Sequence, residues 1–285
     1  GKQPEIFRLL FFVSFNPAYC ICKTKKEKIK MKILLSNDDG IFAKGIETLA
    51  MVLIERGHDV YVVAPDEDAS GTGHGLTINK PLRYRKYNIN GNFFGYMVNG
   101  KPADCVKLAR WEIYRDVDFD FMISGINRGA NLGVDLFYSG TFGAASEAAL
   151  LGVRSIALSL SEPFDHGKNY LTAAVFAADF IEKIKDFQFP RYKLLNINVP
   201  NVKTEELKGY KFTIQGDRNY KENFDKRFDP NGHEYFWITG NAVEYSSNYH
   251  SDYYVLKDNY VSITPVALDL TDEKFGLQIE KELNK

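Results

Sequence analysis

The sequence has few cysteines, no long apolar run and almost no net charge. Three cysteines in 285 residues are too few for a disulfide framework, and two of them, Cys20 and Cys22, lie near the N-terminus. A reducing cytoplasm is therefore the expected location. With 36 basic and 37 acidic side chains the formal net charge is -1, so no overall positive field exists to hold a nucleic acid polymer or an anionic membrane. Any phosphate that the protein binds has to meet a local site.

The first thirty residues differ in composition from the rest of the chain. Residues 6–15, IFRLLFFVSF, are apolar but fall well short of the roughly 20 residues that span a bilayer, and no small-residue cleavage site follows them. A lysine-rich stretch, residues 23–30, comes next. Because Met31 opens a strong strand pattern, we expect residues 1–30 to be a non-native or disordered leader and the domain to begin at Met31.

Between residue 31 and about residue 200, short apolar strands alternate with amphipathic helices. Such strands joined by helices predict an α/β fold, with a doubly wound, mostly parallel sheet covered by helices on both faces in a Rossmann-like three-layer core. The predicted strands are residues 32–37, 59–65, 119–124, 154–160 and 193–199, and the predicted helices are residues 45–57, 141–151 and 169–187.

Two further regions lie outside the predicted strand-helix alternation. Between the second and third strands, residues 77–98 alternate around Asn90-Gly91, a hairpin turn signal, which predicts an inserted β-ribbon. Residues 201–285 are predicted to be a β-rich extension, with β-prone pieces at 210–215, 235–239 and 260–266. The many aromatic side chains there suit an interface or a core better than a stack on a nucleobase, and both interpretations stay open.

Polar loops follow the predicted strands at the edge of the sheet where open parallel sheets bind ligands. Asn37, Asp38 and Asp39 follow the first strand. Two adjacent carboxylates repel each other, and a divalent cation is the commonest remedy, which makes Asp38 and Asp39 candidate metal ligands. The alternative is that one of them caps the following helix, and the doublet alone supports both equally.

The next two loops are rich in glycine. Residues 65–75 contain Ser70 and His74 without the spacing of a dinucleotide-binding fingerprint, and an ordinary surface loop is the alternative. The loop after the third strand places Asn127 and Asn131 among three glycines, where amide oxygens can serve as neutral hard ligands. Of the five histidines, only His74 is predicted to contact a substrate or to donate a proton.

Ser139, Gly140 and Thr141 run directly into an alanine-rich helix. Hydroxyls, amides and the positive end of the helix dipole suit a phosphate, although Ser139 taken alone is better explained as an ordinary N-cap. Carboxylates, hydroxyls and amides thus gather at one edge without a histidine or cysteine cluster. Oxygen ligands of this kind predict Mg²⁺, Mn²⁺ or Ca²⁺ rather than Zn²⁺.

Six blocks, in this order along the chain, resemble the SurE family of metal-dependent survival-protein nucleotidases. They are MKILLSNDDG, APDEDASGTGH, NGKPADCVKLA, SGINRGANLG, YSGTFGAASEAALLG and VSITPVALDLT. The resemblance extends from Met31 to the C-terminus. It implies a 5′/3′-nucleotidase, which is a phosphomonoesterase that releases inorganic phosphate from nucleoside monophosphates and in some members from short polyphosphate.

The resemblance also implies which residues form the site. One divalent metal ion per subunit would be held by Asp38, Asp39, Ser70 and Asn127, with Asp38 or Asp39 as the general base for an attacking water. Asn37 and the turn formed by residues 139–141 would lie near the phosphate, where they would stabilise developing charge.

The family forms oligomers, so the resemblance implies a homodimer or homotetramer with exchange of C-terminal elements. The family usually carries a Gly-Thr-Asp triplet before its last strand, whereas residues 250–254 read HSDYY and keep only Asp252, so we expect a differently shaped loop there. Two alternatives remain from the sequence: a nucleotide- or phosphate-binding module without turnover, and a receiver-like signalling domain. The receiver-like alternative lacks its acceptor aspartate after the third strand and its lysine after the fifth.

Overall fold

A nine-stranded sheet runs through the protein, whose computed structural model describes residues 30–161, 169–244 and 248–285. The strands are β1 (Lys32–Ser36), β2 (Asp59–Pro65), β3 (Tyr84–Ile89), β4 (Asn92–Val98), β5 (Phe121–Arg128), β6 (Ser155–Leu160), β7 (Lys193–Val199), β8 (Tyr210–Phe212), β9 (Arg218–Phe228), β10 (Glu234–Glu244) and β11 (Val261–Ala267). The helices are α1 (Lys44–Glu55), α2 (Pro102–Leu108), α3 (Gly140–Leu150), α4 (Tyr170–Lys183), α5 (Asp252–Lys257) and α6 (Glu273–Leu283).

The strand order is β3-β4-β2-β1-β5-β6-β7-β11-β8, with β9 and β10 forming a separate two-stranded sheet. The strands from β4 to β7 in this order pair in parallel, while β3 and β11 run antiparallel to their neighbours β4 and β7. This arrangement confirms the predicted α/β fold with a mostly parallel sheet. Most of the predicted leader, including Cys20 and Cys22, lies outside the described residues.

Helices cover both faces of the sheet because the central strands are apolar on both sides. In β1, Ile33 and Leu35 belong to one core with α1 and α4, whereas Leu34 belongs to a second core with α2 and α3. All three side chains are buried. The near-continuous apolar runs of the sequence therefore reflect a sheet buried between two helical layers.

The residues predicted as an inserted ribbon instead extend the main sheet. Their hairpin turns at Asn90 and Gly91, both with positive φ (51° and 81°), as the Asn-Gly signal predicts. Strand β4 then pairs in parallel with β2, so the hairpin adds two strands to one edge of the sheet. Residues 77–83 do not join it as a strand, so that part of the ribbon prediction is wrong.

The third predicted strand is longer than expected. Strand β5 begins at Phe121 and continues past Ser124 to Arg128, with a shift of register against β6 between Ser124 and Asn127. A side chain at Gly125 would meet the Leu158 carbonyl oxygen at 2.2 Å, and the φ of this glycine is +142°. Only glycine fits this irregular point, which carries Asn127 to the edge of the sheet.

The C-terminal extension contrasts with this core because it exposes apolar side chains. We call β9, β10 and their turn, residues 218–244, the hairpin arm. Its exposed large side chains are Phe224, Phe228, Tyr235, Phe236, Trp237 and Ile238, and no residue of α6 is buried. None of the helices in the described ranges is both long and apolar enough to cross a lipid bilayer.

Candidate active site

The carboxylate of Asp38 contacts the first turn of α3. Its Oδ2 accepts a hydrogen bond from the Thr141 amide at 2.9 Å, and its Oδ1 accepts one from the Thr141 hydroxyl. Asp38 and Thr141 are both buried. Helix α1, which follows Asp38 in the chain, begins after Ala43 without a side-chain cap, so the alternative that the doublet caps this helix is wrong. Asp38 instead joins the end of β1 to a helix about a hundred residues away, at the positive end of its dipole.

The start of α3 is shaped to bring these groups together. A Cβ at Gly140 would lie 2.8 Å from the Cβ of Asp38, so glycine permits the close approach. The Ser139 hydroxyl accepts from the Phe142 amide at 3.0 Å, which confirms Ser139 as the N-cap. Two of the first three amides of α3 therefore already have acceptors, the Thr141 amide in Asp38 and the Phe142 amide in Ser139.

The second carboxylate, Asp39, faces the end of β5. Its Oδ2 accepts from the Arg128 amide at 3.1 Å, which places Asp39 beside the residue that follows Asn127. The Asn127 side-chain Nδ2 donates to the Gly129 carbonyl at 2.8 Å, so its oxygen is the end of the amide that suits a cation. Arg128 did not emerge from the sequence, although it lies in one of the blocks that carry the resemblance.

The loop after β2 is attached to the same place. The Ala69 amide donates to the Asp38 carbonyl at 2.8 Å, which holds the neighbouring Ser70 near the carboxylates. The Ser70 amide in turn donates to the Asp68 side chain at 2.8 Å. Asp68 was not predicted, and the acidic run of residues 66–68 was the only signal for it. Burial raises the pKa values of Asp38 and Asp39, and the negative charge of Asp68 acts in the same direction.

His74 is linked to a buried glutamate of α3. His74 Nε2 lies 2.9 Å from Glu147 Oε2, and Lys107 Nζ lies 2.7 Å from Glu147 Oε1. Burial alone would raise the pKa of Glu147, but the hydrogen bonds from His74 and Lys107 outweigh it and leave this pKa below its usual 4.5. Because Nε2 is taken by Glu147, a contact of His74 with a substrate falls to Nδ1. The sequence missed Glu147 and Lys107. Glu147 is the one charged residue of α3, whereas α2 carries both Asp104 and Lys107.

Comparison with known proteins places this arrangement in a family. A family model described as survival protein SurE matches residues 33–222. The chain belongs to the SurE family. The 5′-nucleotidase SurE of Natranaerobius thermophilus is 48% identical over 248 residues, which are 85% of this chain and 95% of the relative. The 5′-nucleotidase SurE of Petrotoga mobilis is 46% identical over 248 residues, 86% of this chain and 96% of the relative.

A solved structure of the same family has the same fold. The crystal structure of the SurE protein from Aquifex aeolicus aligns with a TM-score of 0.75 and 39% sequence identity, covering 89% of this chain and 100% of that one. The resemblance that the six sequence blocks indicated is thereby confirmed. In this chain α5 begins at Asp252 with Ser251 as its N-cap, within residues 250–254, for which a differently shaped loop is predicted.

The electrostatics of the candidate site favour an added positive charge. Burial, and then the neighbouring charge of Asp38, raise the pKa of Asp39 to about 6. Burial also raises the pKa of Asp38, although its bonds from Thr141 oppose the shift. The Asn37 side chain donates from Nδ2 to the Gly40 carbonyl at 2.8 Å, while its buried Oδ1 has no partner among the described residues. Two costly carboxylates and an orphaned amide oxygen are a donor set that fits a hard divalent cation.

This donor set does not consist of acidic residues alone. In the part of the chain that the structure describes, no group of three or more His, Cys, Asp or Glu side chains is arranged to hold a metal ion. A cation at the edge of β1 and β5 would therefore need amide or hydroxyl oxygens beside the two carboxylates. Ser70, in the loop after β2, and Asn127, near the end of β5, carry oxygens of these two kinds.

Proposed function

We propose that this protein hydrolyses nucleoside 5′-monophosphates to the nucleoside and inorganic phosphate, with nucleoside 3′-monophosphates and short polyphosphate as further substrates. The observation that carries the proposal is the contact of Asp38 with Thr141, which joins a carboxylate pair to the N-terminus of a helix. This combination suits phosphoryl transfer, because the transferred group carries charge that hydrogen-bond donors and cations have to balance. The relatives named as 5′-nucleotidases support the same activity, and the low cysteine content supports a cytoplasmic location.

Asp38, Asp39, Ser70 and Asn127 would hold one divalent cation, Mg²⁺ or Mn²⁺. When bound, such a cation lowers the pKa of a coordinated water and balances phosphate charge. The oxygen-only donor set supports this choice over Zn²⁺.

The chain's own residues would bind and orient the phosphate. The Thr141 amide and hydroxyl donate to Asp38 in this structure, so substrate oxygens and Asp38 are alternative acceptors for the same two donors. Ser139, Gly140 and Asn37 would also contact the phosphate. His74 would contact it from the loop that packs against Gly143. Donors aimed at the equatorial phosphate oxygens would stabilise the charge that develops there.

Proton movement would begin at the carboxylate pair. Asp38 or Asp39 would accept a proton from the attacking water as its oxygen bonds to phosphorus. The phosphorus–oxygen bond to the nucleoside then breaks, and the departing oxygen takes up a proton to give the free hydroxyl. Water supplies both the oxygen gained by phosphate and the proton gained by the nucleoside, so the reaction needs no further reactant.

A panel of nucleoside monophosphates and polyphosphate, each tested against a series of metals, examines this proposal. We expect phosphate release from AMP with Mn²⁺ or Mg²⁺ and loss of that release in excess chelator. Full activity in excess chelator would contradict the metal assignment. Saturable AMP binding without phosphate release, under all metals, would instead favour the binding module without turnover.

We further propose that copies of this chain associate through their C-terminal elements, as a homodimer or homotetramer. The support is the exposed apolar surface of the hairpin arm and of α6, where Trp237 is 59% and Ile238 77% exposed. Large apolar side chains that are exposed together usually mark an interaction surface. Sedimentation velocity on the full chain tests the proposal, and a monomer at micromolar concentration would contradict it.

A further inference from the structure

One short loop connects two parts of the candidate site. Residues 129–138 lead from Asn127, at the end of β5, to Ser139 at the start of α3. The path of this loop sets where the amide of Asn127 lies relative to the first turn of α3. The contacts that hold residues 129–138 therefore contribute to how the two halves of the site face each other.

The first anchor of this loop is Asn131, which is buried against the ends of the central strands. Its amide donates to Asn198 Oδ1 at 2.8 Å, and its side chain donates to the Ser159 hydroxyl at 3.0 Å. Its carbonyl accepts from Asn196 and from Asn198, both at 2.9 Å. These partners all belong to β6 or β7, so this anchor is part of the core.

The second anchor, Gly133, is held from outside the core. Its amide donates to Asp252 Oδ2 at 3.0 Å, and its carbonyl accepts from the Gln215 side chain at 2.7 Å. Asp252 lies 119 residues further along the chain, at the first residue of α5. Both partners belong to the C-terminal extension, which otherwise contributes no predicted site residue.

Asp252 also ties this contact to the base of the hairpin arm. Its Oδ1 accepts from the Gly216 amide at 3.0 Å and from the Tyr253 amide at 2.8 Å. Gly216 lies two residues before β9, and β9 itself packs against the 3-10 turn Gly133–Phe137. The carboxylate is completely buried and holds three backbone amides from three segments of the chain.

We propose that Asp252 is a positioning residue for the proposed reaction: it fixes the loop between Asn127 and α3 from the base of the hairpin arm. The inference rests on the proposed function, because it assigns the loop a role in phosphate release. The physical reason for this role is that the amide and the carbonyl of Gly133 each have one partner, Asp252 and Gln215 respectively. Both partners lie outside the sheet core. Removing the acceptor on one side frees the middle of the loop while the Asn131 anchor remains.

Burial alone is a poor reason for a carboxylate at this position. Desolvation raises the pKa of Asp252, and the Gly133, Tyr253 and Gly216 amides that donate to it oppose the shift. These three amides supply the hydrogen bonds that a buried carboxylate requires. The two carboxylate oxygens of Asp252 accept from different amides, so a substitution can remove one contact and keep the others.

Asp252→Asn separates the link to Gly133 from the other contacts. An asparagine in the same rotamer keeps Oδ1 on the Gly216 and Tyr253 amides, while its NH₂ group faces the Gly133 amide, so that two donors meet. Asp258→Asn is the matched control, because Asp258 is an exposed residue just after the same helix and loses the same charge. Gln215→Met is a second variant, which removes the donor to the Gly133 carbonyl from a side chain near the surface.

The experiment measures hydrogen–deuterium exchange of residues 129–138 and the kinetics of phosphate release from AMP, both on the full chain. In Asp252→Asn we expect exchange in this segment to rise at least about tenfold, and kcat to fall roughly 10- to 100-fold with KM changed much less, because misplaced catalytic groups lower kcat. We expect Gln215→Met to change both quantities in the same direction. Asp258→Asn is expected to match the wild type.

Two results would overturn the inference. One is an Asp252→Asn or Gln215→Met protein whose segment 129–138 exchanges as slowly as in the control. The other is faster exchange together with a kcat within about twofold of the control. If the wild type itself released no phosphate from any substrate, the proposed function would fail, while the exchange measurement would still report whether Asp252 holds the loop. Should Asp252→Asn not fold, Gln215→Met decides.

Discussion

Two regions of this molecule depart from the usual distribution of polar and apolar side chains, and they do so in opposite ways. At the carboxyl edge of the sheet, Asn37, Asp38 and Thr141 are buried although they are polar. In the hairpin arm, Trp237 and Ile238 are exposed although they are apolar. Each departure costs free energy in the isolated chain.

The difference shows what each region lacks. The buried carboxylates at the edge of the sheet have raised pKa values, so positive charge is missing beside them. A cation, or the hydrogen-bond donors around a bound phosphate, would balance their negative charge. Exposed aromatic side chains lack apolar neighbours, which another copy of the chain would supply. The first region is therefore expected to respond to changes of single atoms, and the second to changes of surface area.

The largest effect is expected from Asp38→Asn at the edge of the sheet. Removing one negative charge from the candidate metal and phosphate site, while keeping the shape of the side chain, should lower phosphate release from AMP by about 10³-fold or more. Circular dichroism should remain that of the wild type. Asp116→Asn, at an exposed position away from the site, is the control. A folded Asp38→Asn protein with the wild-type rate would contradict the assignment of Asp38 to the candidate metal and phosphate site.

The hairpin arm should respond to charge placed on its apolar surface. Trp237→Glu combined with Ile238→Asp should weaken self-association by about 100-fold or more, because buried aromatic and aliphatic side chains dominate the affinity of such interfaces. Sedimentation velocity measures the change. Trp111→Glu alters an aromatic side chain that is 57% exposed and lies outside the arm, and it should leave the assembly intact. An unchanged assembly in the double variant would show that the arm is not the interface.

Thr141→Val tests a single donor within the buried region. The substitution removes the hydroxyl that donates to Asp38 and keeps the shape of the side chain. We expect kcat for AMP to fall about 10- to 100-fold, as for the loss of one donor to a developing negative charge. Thr172→Val removes another buried hydroxyl, which lies on α4 and is 3.2 Å from the Thr204 hydroxyl, and this variant should leave kcat unchanged. Equal effects of the two variants on kcat would show that the Thr141 hydroxyl has no special role.

The smallest effect is expected from Glu147→Gln, beside the site. Losing the ion pair with Lys107 and the hydrogen bond with His74 should lower the free energy of unfolding by about 1 kcal/mol at neutral pH. Because the folded-state pKa of Glu147 lies below its usual 4.5, its stabilising effect is present above about pH 4.5 and disappears as the pH falls through the folded pKa. The difference between wild type and variant in urea unfolding should therefore shrink on acidification. Glu55→Gln, on the exposed face of α1, should show no difference at either pH.

The fold was predictable where burial imposes a pattern on the sequence. Strands β2 and β7 have the predicted bounds, because both are apolar runs in the middle of the sheet. Helix α2 was missed because it spans seven residues, too few for a periodic pattern. Strand β9 was missed because its sequence, RNYKENFDKRF, is mostly polar and charged, so no buried face marks it as a strand.

The candidate site was predictable to the level of loops but not of contacts. Strand ends and glycine spacing identified Asp38, Asp39 and Thr141 as neighbours of one edge. The roles of Glu147 and Asp252 depend on partners 73 and 119 residues away in the chain, and nothing local in either sequence context indicates them. Such contacts can be identified only in the tertiary structure, because the two residues of each contact are brought together by the packing of segments that are distant in the sequence.

The positions of α1 and α3 on opposite faces of the sheet have a consequence for how this protein can diversify. The chain leaves β1 toward one face and reaches the other face from the neighbouring β5, so the loops after these two strands diverge at a topological switch point, where open α/β sheets bind ligands. These loops lie outside the two helical layers that cover the sheet. Substitutions in them can therefore change what binds at this edge while the two helical layers keep their packing.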